Sequence, residues 1–378
     1  MNTFKKYYFM TLLMFSFVLS NEEHLIYYSL NQGPNLVSFP ILSISDDIET
    51  FFTNQNSNYI SNYNIDQNIV TLISEGEFGF PLNSEWNGSL QEINSNQGYW
   101  IILNQSVNFL FSGSEINQNL YFFHEGANLI SYPFSVEQSS TDALNQFFSG
   151  NDYAVIGENQ ALLSINSNWW GSLDAFIPGK GYWFIVQEAT PFVFNQPIET
   201  ESIQYPNLND DYILPYNQST QQSIFFIEGV YIDGVKILGE FTLNAYCNDN
   251  LVGQKTTISN YTDIVTMGSD GFDQTENYCS QNQEVLFREQ NSNNNFHVLK
   301  GNNEWQAYNF NINILSNSDF GDINYNGLIN ITDIIIMVEF IIESNDLNEH
   351  QNILADINQD NSINIADVII NIETILNN

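Results

Sequence analysis

Hydrophobic positions change their spacing along the chain. Through the first three hundred or so residues, short apolar runs alternate with polar ones and are broken by Gly, Asn and Pro, which predicts strands joined by turns. Two brief stretches switch to helical spacing: Ile48, Phe51 and Phe52 behind Ser45, and Leu144, Phe147 and Phe148 behind Ser140, each serine placed to cap a short helix. After residue 319 the spacing turns helical. Residues 333–342 are apolar almost all the way round, and residues 368–376 carry more polar interruptions. A helix in so small a unit buries one face internally, so the other face of 333–342 must meet a partner protein or the chain's own preceding domain.

The strand-rich part repeats itself. Gly33-Pro-Asn35-Leu36-Val37-Ser38 returns as Gly126-Ala-Asn128-Leu129-Ile130-Ser131, Trp86-Asn-Gly88-Ser89-Leu90 as Trp169-Trp-Gly171-Ser172-Leu173, and Gly98-Tyr99-Trp100 as Gly181-Tyr182-Trp183. Three matches in one order predict a tandem duplication, residues 25–113 and 119–196. A Pro/Asn/Asp-rich linker over 197–216 leads to alternating strands over 217–316, read as a β-sandwich, with Gly253, 262–264 and 267–271 read as loops. The fold class is therefore mainly β, with a small all-α end. The repeats resemble the Gly-x-Asn-Leu-Ile-Ser and Gly-Tyr-Trp repeats of secreted bacterial and archaeal surface proteins.

Neighbours on a strand point to opposite faces. Tyr99 and Trp100, and likewise Tyr182 and Trp183, therefore cannot share one core unless both sheet faces are covered. Two readings stay open for Trp100 and Trp183: exposed platforms that stack on a glycan, or packing between the repeats. Cys247 and Cys279 are the only cysteines. In an exported chain they are expected to pair, with two free thiols as the alternative.

The C-terminal stretch 319–378 carries one pattern twice. Asp322, Asn324, Asn326, the Leu328 carbonyl, Asn330 and Asp333 occupy positions 1, 3, 5, 7, 9 and 12 of one loop. Asp356, Asn358, Asp360, the Ser362 carbonyl, Asn364 and Asp367 occupy the same positions of another. Calcium takes about six to eight oxygens, and a twelve-residue loop supplies them from those positions. Position 6 needs a sharp turn, which Gly327 gives directly and Asn361 next best. Ile329 and Ile363, at position 8, could pair the loops through a short β contact. Two carboxylates in the first loop against three in the second favour the second as the tighter site.

This duplicated Asp-x-Asn-x-Asp-Gly-x-Ile-Asn-x-x-Asp pattern resembles the dockerin family, type I-like, over about residues 321–376, and departs from it at Asn326, at Asn361 and at the partner-reading pairs Ile331-Thr332 and Ile365-Ala366. The resemblance implies two Ca²⁺ ions, a cohesin-type or other extracellular protein partner, and partner contacts at Ile331, Thr332, Ile335, Ile365 and Ala366.

Residues 1–20, with Lys5 and Lys6 before an apolar run, read as a secretory signal peptide, too short to span a bilayer. That predicts an extracellular or cell-surface protein. Seven Lys+Arg against 44 Asp+Glu argue against nucleic acid and anionic membrane as partners. No phosphate loop, zinc spacing or nucleophile elbow occurs, and the four histidines lie in unrelated places. The expected function is a secreted, non-catalytic, multi-domain binding or adaptor protein. The alternatives are a carbohydrate-binding component of extracellular polysaccharide degradation and an unrecognised O-glycosyl hydrolase.

Overall fold

The computed structural model describes residues 24–41, 45–52, 65–83, 85–113, 119–144, 153–165, 168–197, 214–290, 295–343 and 345–377. The signal-peptide reading, most of the linker, and Phe147 and Phe148 lie outside the described residues.

Each repeat builds the same five-stranded antiparallel sheet. In the first the order is Gly33–Ser38, Gly98–Leu103, Ile69–Ile73, Phe78–Leu82, Glu85–Gly88; in the second it is Gly126–Ser131, Gly181–Val186, Tyr153–Ile156, Ala161–Ile165, Asn168–Gly171. A two-stranded ribbon accompanies each sheet, His24–Leu30 with Val107–Gly113 and Leu120–Phe123 with Thr190–Val193. The helices α1 (Ile48–Phe51) and α2 (Ser140–Ala143) are single turns. They are capped by Asp47 and Ser139 rather than by Ser45 and Ser140, whose positions fall in a strand and inside the helix.

The repeated motifs hold turns and the contact between repeats. Asn35 accepts from the Asn31 amide at 2.7 Å and donates to the Asn31 and Gly33 carbonyls; Asn128 does the same at His124 and Gly126. Each asparagine staples the turn that leads into its strand. The Ser38 amide donates to the Gly179 carbonyl at 2.8 Å, and the Ser131 amide to the Asn96 carbonyl at 3.1 Å, so equivalent residues make reciprocal bonds. Gly98 and Gly181 sit where the repeats meet: a Cβ at either would come within 2.9 Å of a carbonyl oxygen of the opposite repeat, at Ile130 and Val37 respectively. That closeness explains glycine ahead of each Tyr-Trp pair.

Both faces of each sheet are covered. Tyr99 and Tyr182 fill the inner core of their own repeats, while Trp100 and Trp183 point the other way into a core shared with the 222–316 strands. Trp100 is 1% exposed and Trp183 5%, and the Trp183 ring lies 4.2 Å from that of Tyr308. The sugar-platform reading of these two tryptophans is therefore corrected: each ring is enclosed by protein on the face a glycan would need.

In the third part, Gln222–Ile232 pairs with Val235–Ile237 and Thr262–Met267 and runs parallel to Phe310–Ser316. Gly239–Cys247, Asn250–Ile258 and Leu286–Glu289 form a second group, and Asn295–Lys300 pairs with both, joining them into one eight-stranded sheet. Gly253, residues 262–264 and Met267, read as loops, are in strands. Asp263, buried in that strand, takes the Ala161 amide at 3.1 Å, the Ser172 hydroxyl at 2.6 Å and the Lys255 ammonium at 3.0 Å. It fastens the second repeat to the β domain. Burial pushes its carboxyl up from the ordinary value, and Lys255 with Ser172 opposes that. Cys247 and Cys279 form a disulfide with Cα atoms 5.2 Å apart. Closing that loop stabilises the fold by about 3–4 kcal/mol on the chain-entropy account.

Candidate functional site: the C-terminal loops and helices

Three helices complete the chain: α3 (Ile331–Ile341), α4 (Glu349–Ala355) and α5 (Ile365–Asn377). The sequence reading missed α4. Its signal was present: Asn348 and Gln351 stand at N-cap and N3 spacing, and both halves of a capping box form.

The two loops share one hydrogen-bond frame. In the first, Asp322 accepts from the amides of Asn326 (3.1 Å) and Gly327 (2.9 Å), Asn324 Oδ1 from Asn326, and Asn326 Oδ1 from Leu328. Asp333 accepts from the amides of Ile323, Asn324 and Asn330. In the second, Asp356 accepts from Asp360 (3.0 Å) and Asn361 (2.9 Å), Asn358 Oδ1 from Asp360, and Asp360 Oδ1 from Ser362. Asp367 accepts from Asn358 and Asn364. The chain at positions 1, 3, 5 and 12 thus closes on itself in the same way twice. Position 6 is left-handed in both loops, Gly327 at φ +75° and Asn361 at +64°; so is position 4, Tyr325 at +62° and Gln359 at +59°, which the sequence reading did not anticipate.

Asn330 and Asn364 hold the helix starts. Asn330 Oδ1 accepts from the Thr332 amide and its Nδ2 donates to the Leu328 carbonyl at 3.0 Å; Asn364 does the same with Ala366 and Ser362. Position 9 is commonly a water-mediated ligand, which suits an oxygen already engaged as a cap. The expected β contact between Ile329 and Ile363 is not formed among the described residues, and both are half-buried.

Asp322, Asp333 and Asp367 are buried, and residues 319–378 contain no lysine or arginine. Burial pushes the Asp322 carboxyl up from its ordinary value, the Gly327 and Asn326 amides oppose this, and Asp333 pushes it up again. Acids enclosed with one another and with neutral oxygens form a hard donor set that suits a hard divalent cation. Among the described residues no group of three His, Cys, Asp or Glu side chains is disposed to hold a metal. Of the six candidate donors in each loop, four in the first and three in the second are neutral amide or carbonyl oxygens.

Residues 320–376 match the dockerin type I domain family. The C-terminal segment is a dockerin domain. Dockerin domains bind calcium and dock onto cohesin-type protein modules of extracellular assemblies. No curated protein and no solved structure matches the chain. Among the described residues no helix is long and apolar enough to cross a membrane.

The dockerin helices leave matching apolar sets uncovered. Ile331, Ile335 and Val338 on α3 and its C-cap Ile342 are exposed, and so are Ile365, Ile369, Ile372 and Leu376 at the same offsets on α5. Of the sequence-predicted partner residues, Ile331, Ile335, Ile365 and Thr332 are exposed and Ala366 is half-buried. Thr332 also braces the loop, its hydroxyl 2.7 Å from both Asn330 Oδ1 and Asn324 Nδ2.

The opposite face of the dockerin packs on its own chain. Ile323, Ile334, Met337 and Leu354 share a core with Tyr231, Leu299 and Ile314 of the β domain. His350 of α4 is buried there with its Nε2 3.0 Å from Ser316 Oγ. Burial pulls its imidazole down from the ordinary 6.5 to about 4. Once released, the imidazole takes up a proton at a pH where the seated one does not, so this contribution is complete above about pH 6.5 and drains away as pH falls towards 4. Thermal melts across that window are expected to show a slope that His350→Gln flattens, by up to about 3 kcal/mol in total.

Proposed function

We propose that the chain is a secreted, non-catalytic adaptor, with β-rich units at 25–113, 119–196 and 217–316 presented by a dockerin at 319–378 that docks onto a cohesin-type partner once two calcium ions are bound. The ligands are Asp322, Asn324, Asn326, the Leu328 carbonyl and Asp333 in one loop, and Asp356, Asn358, Asp360, the Ser362 carbonyl and Asp367 in the other. Asn330 and Asn364 contribute through water.

The observation that carries this reading is the doubling. Two loops with one hydrogen-bond frame are each followed by a helix showing the same row of exposed apolar residues, on a domain whose other face is already taken. An exposed aliphatic row beside acidic loops suits a partner with an apolar centre and a basic rim. Because the rows are equivalent in spacing and exposure, a partner seated on one has a second seat on the other.

Binding to a panel of immobilised cohesin modules tests it. Ile335→Asp or Ile369→Asp alone should leave a measurable complex, and the pair together should weaken it at least 100-fold, the equivalent of about 2.7 kcal/mol. Unchanged binding by the double variant, or no binding to any module in the presence of calcium, would remove the docking assignment.

A further inference from the structure

We infer that Tyr325 couples the first calcium loop to the preceding β domain, which thereby acts as a docking partner within the same chain and strengthens that loop's hold on its ion. This rests on the calcium assignment proposed above and goes beyond it, because it makes the two loops unequal for a reason outside both.

Tyr325 stands at position 4, between Asn324 and Asn326. Its backbone is left-handed, a region an aromatic residue rarely occupies unless its surroundings hold it there. The ring leaves the loop and lies parallel to His350, with centroids 5.3 Å apart and planes 7° apart; His350 in turn lies 4.4 Å from Tyr231 at 2°. Three rings from α4, the loop and the β domain form one stack. The Tyr325 hydroxyl is 3.2 Å from Asn348 Oδ1, the N-cap of α4. On the β-domain side the ring covers the turn at Gly234, where a Cβ would lie 2.3 Å from the ring; glycine alone fits, both for that space and for its φ of +79°.

That turn is itself fixed. The Asp233 amide donates to Asn317 Oδ1 at 2.9 Å and Asn317 Nδ2 returns a bond to Asp233 at 2.8 Å, so the segment entering the dockerin holds the surface on which Tyr325 rests. Among the described residues the second loop has no such support: its position 4 is Gln359, exposed. Seating Tyr325 and gathering Asn324 and Asn326 about an ion require the same backbone conformation. Each therefore favours the other, and by linkage the gain is reciprocal.

The experiment uses the full chain in two single-loop backgrounds, Asp356→Ala, which keeps the first loop, and Asp322→Ala, which keeps the second. Calcium affinity is measured by calorimetry, and amide exchange over residues 231–235 by mass spectrometry. Adding Tyr325→Ala is expected to weaken calcium at least 5-fold in the first background and by less than 2-fold in the second, the lower end of ordinary coupling. At saturating calcium in the otherwise wild-type chain, the same substitution should raise exchange at 231–235 several-fold while leaving α5 protected. Gln359→Ala should change neither reading. Equal weakening of both loops would show a general loss of stability and overturn the coupling, as would wild-type affinity in the first background. If the unsubstituted chain binds no calcium, the calcium assignment falls and this inference with it. Two ions bound with no effect of Tyr325→Ala would overturn the inference alone.

Discussion

Stripping calcium from the full chain is expected to melt the dockerin and spare the β-rich parts. The domain is below the size at which a single core is self-sufficient. Its buried core is aliphatic, with Ile323, Ile334, Met337, Leu354 and Val368 at the centre, but Asp322, Asp333 and Asp367 are enclosed with it and no lysine or arginine lies in residues 319–378 to neutralise them. Without a cation those carboxylates repel one another and each must surrender water for amide partners. One site at 100 times its dissociation constant stabilises the folded state by about 2.7 kcal/mol, so two supply about 5, of the order of a small domain's whole stability. Circular dichroism should therefore lose its helical component on chelation and keep its strand component. Calcium should restore the helix, and an equal concentration of magnesium should not, because magnesium demands a tighter octahedron and keeps its water. Helix content indifferent to the chelator would show that the loops fold without an ion.

The parts legible in the sequence are those whose chemistry is local. The dockerin could be read because its repeated spacing and the turn at Gly327 fall within twelve residues, and the duplication could be read because it repeats short strings. What could not be read depends on what covers a face. Thr262–Met267 is buried along its whole length, so it lacks the alternation that marks a half-exposed strand, and its first three residues read as a loop. The parallel pairing of Gln222–Ile232 with Phe310–Ser316 joins segments from opposite ends of the domain and leaves no mark in either. His350 looked isolated among four scattered histidines; its role comes from Tyr231, more than a hundred residues earlier. For the free face of α3 the residues alone left a partner and the preceding domain equally eligible. The structure divides them: Ile334 and Met337 turn inward to the core shared with the β domain, and Ile331, Ile335 and Ile342 turn outward.

Trp183→Ala is expected to cost about 3–5 kcal/mol of stability, the usual range for emptying a buried tryptophan site, and to leave any interaction with polysaccharide unchanged. The indole sits among Leu129, Ile156 and Ile185 of its own repeat and reaches Tyr308 of the β domain, so its removal opens a cavity at a seam. Other links across that seam include the contact of Trp170 with Tyr261 and the buried Asp263 carboxylate on Ala161 and Ser172. Calorimetric scanning should show the second repeat and the β domain unfolding together in the wild type and as two transitions in the variant, because cooperativity between domains is carried by such shared cores. Trp183→Phe should do far less, since a phenyl ring keeps most of the apolar area and the contact with Tyr308. Trp100→Ala should resemble Trp183→Ala in size, its ring being equally enclosed and part of the same core. A variant of wild-type stability that lost retention on a glycan column would reverse this assignment, for it would mean that the ring spends its time against sugar instead of against Tyr308.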